Sequence, residues 1–159
     1  MSRWLIAMIP LLPLIATLAG FTARGWLEQR GRGLMVAYIT IAAVGISALL
    51  SICLLIQMWI EPQSVTVDLY TWARIGGVDI TIGCLVDSLS VVMMSVVSIV
   101  SLLVHIYSLG YMRNDPGRGR FFLCIAFFTF AMLMLVMADN LLQLFFGWEA
   151  VGLASYLLI

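Results

Sequence analysis

Glu149 is an ionisable side chain inside an otherwise apolar run, Asn140 to Ile159, of a 159-residue chain. It lies nine residues past Asn140, about 13 Å along an α-helix, near the middle of a membrane-spanning segment. A charged group at that depth costs about 2.5–3.5 kcal/mol on insertion scales, which makes it a functional candidate by default. Burial disfavours an ionised carboxyl and a nearby cation favours it. A carboxyl held between the two pulls can load and release a proton, the chemistry of a relay. The competing reading is structural, with Glu149 hydrogen-bonded to a neighbouring helix. Around it Gly147, Ala150, Gly152 and Ala154 are small, and Ala150 and Ala154 have the spacing that lets spans pack closely.

Three more polar groups qualify. His105, the single histidine, falls on a line with Ser98, Ser101 and Ser108, spaced three, four and three residues apart on one helix face. That line could order water or pass protons, with an imidazole that titrates near neutrality, or it could be a set of interhelical hydrogen bonds. Asp87 and Asp139 stand at the starts of apolar segments, where an acidic residue suits the helix dipole. They are capping residues first and relay candidates second. Cys53, Cys84 and Cys124 lie far apart in apolar settings, with no CxxC or Cys/His spacing. No zinc, iron–sulfur or other redox site is readable.

What must position these groups is a membrane bundle. Hydrophobic residues make up 64% of the chain and charged ones 10%, too little polarity to cover a water-soluble surface. Eight arginines balance five aspartates and three glutamates, lysine is absent, and nothing resembles a basic nucleic-acid-binding patch. Five apolar stretches are expected to span: Trp4 to Ala23, Leu34 to Ile60, Cys84 to Met112, Phe121 to Ala138, and Asn140 to Ile159. The first is longer than a signal-peptide core and is read as a retained span. Pro10 and Pro13 inside it are tolerable in lipid. Asp139 and Asn140 predict a tight turn between antiparallel helices.

Between the second and third spans, Val65, Val67 and Leu69 alternate with polar residues, as do Val78, Ile80 and Ile82, around Gly76 and Gly77. That pattern predicts a β-hairpin whose edges cannot face lipid, and which therefore lies on the external surface against a neighbour. The fold class is all-α, a five-span transmembrane bundle with one short hairpin. It divides into residues 1–63 (two spans), 64–83 (hairpin) and 84–159 (three spans). Arg24, Arg30 and Arg32, with Arg113, Arg118 and Arg120, fall on one side, against Arg3 and Arg74 on the other. By the positive-inside rule the N-terminus is outside and the C-terminus cytoplasmic.

The run from Asp139 to Ile159, with Gly147, Trp148, Glu149, Gly152, Ser155 and Tyr156, resembles the fifth-helix signature of the subunit L (chain 5) family of respiratory complex I, the proton-pumping NADH:quinone oxidoreductase. Val86 to Ser90, then His105, Tyr107, Ser108, Tyr111 and Met112, then Arg120 to Phe122 match the same family in order. The resemblance is strong from Leu85 to Ile159, while the first two spans match in hydropathy alone. It implies that Glu149 pairs with a lysine on a later broken helix, and that their changing separation drives protons across the membrane. His105 and Asp87 fall on recurrent polar positions of the family. It also implies that NADH, flavin, iron–sulfur clusters and quinone belong to other subunits. The partners are then the other membrane subunits of the complex, lipid and protons, in a bacterial plasma membrane or a mitochondrial inner membrane. Multi-subunit cation/proton antiporters and membrane-bound hydrogenases share the wider superfamily, and a small structural membrane protein is the remaining alternative. Family members have fourteen or more spans, so a five-span chain without lysine reads as an N-terminal fragment, inactive alone.

Overall fold

A computed structural model describes residues 3–29, 33–61, 64–75 and 78–159. Five helices and one hairpin follow one another: α1 (Arg3–Gln29), α2 (Gly33–Ile60), β1 (Val65–Ile75), β2 (Val78–Val86), α3 (Ser88–Tyr111), α4 (Arg118–Val136) and α5 (Leu141–Leu158). All five are long and apolar enough to cross a membrane. Their outward faces carry side chains such as Leu49, Ile56, Val100, Leu103 and Ile106, all exposed, as a lipid-facing surface requires. The apolar part of α1 ends at Ala23, but the helix continues to Gln29.

Proline chemistry ties α1 to α2. Pro13 has no N–H, so the carbonyl of Ile9 loses its intrahelical donor. Ser47 of α2 supplies one, its hydroxyl donating to the Ile9 carbonyl over 2.6 Å in a buried setting. Thr17 donates to the Pro13 carbonyl at 2.8 Å. The Ser47 hydroxyl thus repairs the carbonyl that Pro13 opened, as lipid-embedded helices require, while Thr17 folds its hydroxyl back onto its own helix.

α4 is the central helix, packing against α1, α2, α3 and α5. At the hairpin end, Ile6, Ile9, Leu54, Val91, Met94, Leu133 and Met137 enclose the strand residues Val67, Cys84 and Val86. The hairpin plugs that end of the bundle. Its strands pair antiparallel from Val65↔Val86 to Ile75↔Val78, with register shifts between Asp68 and Tyr70 and between Thr71 and Ala73. The expected glycine turn, Gly76 and Gly77, lies outside the described residues.

The junctions before α3 and before α5 differ from the sequence reading. Cys84, Leu85 and Val86 belong to β2 and do not open the third span, because the inward period-two pattern at Ile82, Cys84 and Val86 continues to the helix cap. At the α4–α5 junction, Asn140 caps α5, accepting the Gln143 N–H at 2.9 Å. Asp139 instead accepts from the Asn140 side-chain amide at 2.5 Å and from the Thr81 hydroxyl at 3.5 Å.

Candidate functional site

Glu149 lies halfway along α5, whose α4-facing side is made by Gln143, Gly147 and Ala154, all buried. That contact is close: a methyl group on Gly147 would come within 2.8 Å of the Leu135 Cα. Of the small residues, Gly147 and Ala154 therefore seat α5 on α4, Ala150 is half-buried, and Gly152 does not take part. Two residues beyond Gly147, Glu149 is turned to the opposite side, where Phe145, Gly152 and Tyr156 are also exposed. No hydrogen bond or ion pair reaches its carboxylate among the described residues. An apolar cavity of about 340 Å³ between the hairpin and the α4–α5 corner is lined by Trp72, Ile82, Phe130, Phe146 and Ala150, without Glu149.

Asp87 is the N-cap of α3. It accepts the Ser90 N–H at 2.7 Å, while its own N–H donates to the Ser90 hydroxyl at 2.9 Å, a reciprocal capping box. The Ser90 backbone N–H, followed by the Ser90 side chain, holds the Asp87 carboxyl below its ordinary value. Its geometry is that of a cap, 62 residues before Glu149 in the chain and at the hairpin end of the bundle.

The polar line of α3 is buried at Ser98, His105 and Ser108. Ser98 donates to the carbonyls of Met94 at 2.7 Å and Ser95 at 3.2 Å. Ser101 meets Thr129 of α4, oxygen to oxygen, at 2.5 Å. The His105 Nδ1 lies 2.8 Å from the Ser101 carbonyl, and its ring tilts against Phe122, centroids 6.0 Å apart. The hydroxyls thus join α3 to its own backbone and to α4, and they do not join one another in series. His105 of α3 is buried against Phe122 of α4, whereas Glu149 of α5 is exposed on the side turned away from α4, so the fold does not bring these two candidates together.

Two residues escaped the sequence reading. Thr129 bonds Ser101, and its signal was available: it is the single hydroxyl in the run Phe121 to Val136. Gln143 is the other. It is buried, and its side-chain amide spans the Gly83 backbone, accepting from the Gly83 N–H at 2.9 Å and donating to the Gly83 carbonyl at 2.8 Å. Beside it the Asn140 amide donates to the Thr81 carbonyl at 2.7 Å, and the Leu85 N–H donates to the Met137 carbonyl at 2.9 Å. Thr81, Gly83 and Leu85, every second residue, present the outer edge of β2 to the α4–α5 corner. The neighbour that covers the hairpin edge is the chain's own corner. Burial, and then the Asp139 carboxylate, push the adjacent Cys84 thiol up to about 11.

Residues 72–122 match the family model described as NADH-ubiquinone oxidoreductase (complex I), chain 5 N-terminus. NADH-quinone oxidoreductase subunit L of Neisseria meningitidis serogroup B is 52% identical over 76% of this chain and 18% of its own length. NADH-ubiquinone oxidoreductase chain 5 of Chondrus crispus is 45% identical over 96% of this chain and 22% of its own. Subunit L of Rhodobacter capsulatus is 43% identical over the same shares. The similarity therefore reaches into the first two helices, beyond the motifs that carried the resemblance. This chain spans about a fifth of the length of these relatives. Among solved structures, the membrane-bound sulfane sulfur reductase, an archaeal respiratory membrane complex, superposes with a TM-score of 0.66 at 21% identity, over 94% of this chain and 22% of the matched one. That likeness concerns the fold alone.

Proposed function

Because the chain belongs, across most of its length, to the subunit L / chain 5 family of NADH-quinone oxidoreductase, we propose that it forms part of a proton-translocating membrane subunit in which Glu149 loads and releases protons. The observation that carries this reading is the carboxylate itself, halfway along α5, on the side turned away from α4 and without a partner among the described residues. Hydrocarbon does not tolerate such a group uncovered, so the face around Phe145, Glu149, Gly152 and Tyr156 receives further helices of the subunit. No lysine is present in this sequence. The cation that tunes Glu149 comes from one of those helices, in keeping with the lysine that the family resemblance implies. His105 and Asp87 are secondary positions, the first buried against α4 and the second a cap.

Electron transfer takes place on other subunits, which hold NADH, flavin, iron–sulfur clusters and quinone, and whose membrane components are the partners of this one. The chain sits in a bacterial plasma membrane or a mitochondrial inner membrane with its N-terminus outside. In support, antiparallel connection of the helices puts the α1–α2 and α3–α4 junctions, near which six of the eight arginines lie, at the end opposite the hairpin.

The test is Glu149→Gln in the full-length subunit within the assembled complex. NADH-driven proton translocation should fall, and Glu149→Asp should retain part of it. Normal translocation by the Gln variant overturns the assignment. Should translocation proceed without any dependence on NADH oxidation, the chain belongs instead to a cation/proton antiporter or a hydrogenase-type complex.

A further inference from the structure

Chemistry fixes the hydrogens around His105. Its Nδ1 lies 2.8 Å from the Ser101 carbonyl, and a carbonyl only accepts, so Nδ1 carries the proton. Thr129 donates its one proton to the Ile125 carbonyl at 2.8 Å. Ser101 must then donate its own to the Thr129 oxygen. The Ser101 hydroxyl, 3.4 Å from Nδ1, therefore offers the ring only lone pairs. Every proton of the cluster is committed, and the neutral imidazole is left with a bare lone pair at Nε2. His105 is 0% exposed, and its Nε2 has no hydrogen-bond partner among the described residues. A buried acceptor in that condition calls for a donor.

The ring is neutral. An imidazolium would need a carboxylate, and α2, α3 and α4 contain no Asp or Glu within Gly33–Ile60, Ser88–Tyr111 or Arg118–Val136. The ionised groups of α4 are Arg118 and Arg120, both cationic. Asp87, at the far end of α3, is about 27 Å away along the helix.

We propose that Nε2 of His105 is the binding site of one internal water molecule between α3 and α4, with the Ser101–Thr129–Ile125 chain holding the ring in its Nδ1–H form. Ser108, buried and three residues further along the same face, supplies a second polar partner for that water. A proton arriving through the water would stop at the ring, because the group beyond Nδ1 is a backbone carbonyl. His105 is then an end point for protons and not a conductor along α3. This inference concerns His105 alone and holds whatever Glu149 does.

The histidine is the only one in the chain, so ring ¹⁵N labelling of the full chain in lipid bilayers gives a single-site reading by solid-state NMR. The expected spectrum shows a protonated Nδ1, an unprotonated Nε2, and magnetisation passing from water to the ring. The Nε2–H form, an imidazolium, or a ring that receives nothing from water would overturn the proposal. His105→Phe keeps the bulk and removes the lone pair, so water-to-Thr129 methyl transfer should be lost. If that transfer persists in the Phe variant, something other than Nε2 holds the water, and the proposal fails.

Discussion

Replacing Gln143 by Met isolates what holds the hairpin to the bundle. The two side chains have similar volume, so packing against α4 is retained while both hydrogen bonds to Gly83 are removed. The Gly83 N–H and carbonyl, both buried, lose the partners they have outside the strand pair among the described residues. Each orphaned group costs about 1–3 kcal/mol, so the expected loss is about 2–6 kcal/mol, of which the lower half is the reasonable expectation if the neighbouring bonds at Thr81 and Leu85 survive. A change of about 3 kcal/mol is a factor on the order of 100 in the opening equilibrium. Amide hydrogen exchange at Gly83, measured on the full chain in bilayers, reads that factor directly. The Gly83 amide should exchange about 100-fold faster in the Met variant, while amides in the middle of α3 hold their native rates. An unchanged Gly83 rate would refute the reasoning, since it would mean that the amide clamp contributes nothing. Equal acceleration throughout α3 would also refute it, since it would mean that the substitution destabilises the whole bundle.

Other expectations follow from the same geometry. Gly147→Ala places a methyl group 2.8 Å from the Leu135 backbone and should destabilise the α4–α5 pair by about 1–3 kcal/mol, measurable as a lower midpoint in denaturant. Asp87→Ala removes the α3 cap at a cost of about 1 kcal/mol near neutral pH. Because folding lowers the Asp87 pKa from its ordinary 3.8, that stabilisation is present above pH 3.8 and is lost as pH falls below it, so native and variant proteins should converge in acid. The Cys84 thiol has the opposite sign, raised from 9.0 to about 11. Stability should be full below pH 9 and decline between about pH 9 and 11, and Cys84→Ala should flatten that alkaline decline in unfolding titrations.

Much of this architecture was legible because lipid imposes a simple code. Spans α1, α2, α4 and α5 followed from apolar run length, and the hairpin from period-two alternation at Val65–Leu69 and Val78–Ile82. The alternation runs on past Ile82 to Val86. Cys84, Leu85 and Val86 are as apolar as a span, and only the cap at Asp87 separates strand from helix. Asp139 and Asn140 are equally good caps by type, and the choice between them depends on Thr81, 58 residues away. Glu149 and His105 were found as polar residues in apolar runs. Their surroundings were not, because which side of a helix faces α4 is decided by small residues such as Gly147 meeting a particular backbone. Gln143 was hidden for the same reason, since its partners are main-chain atoms of a glycine and leave no pattern in side-chain types.

The dependence of β2 on the α4–α5 corner also sets an order of events during synthesis. Gly83 and Gln143 are 60 residues apart, which at 5–20 residues per second is a delay of about 3–12 s. For that interval the strand has left the ribosome with its outer row of donors and acceptors open to any passing chain. Insertion of the fifth helix closes the row. A nascent chain stalled before residue 143 should therefore be the species most prone to capture by chaperones or to mispairing, with the vulnerable stretch centred on Thr81 to Leu85.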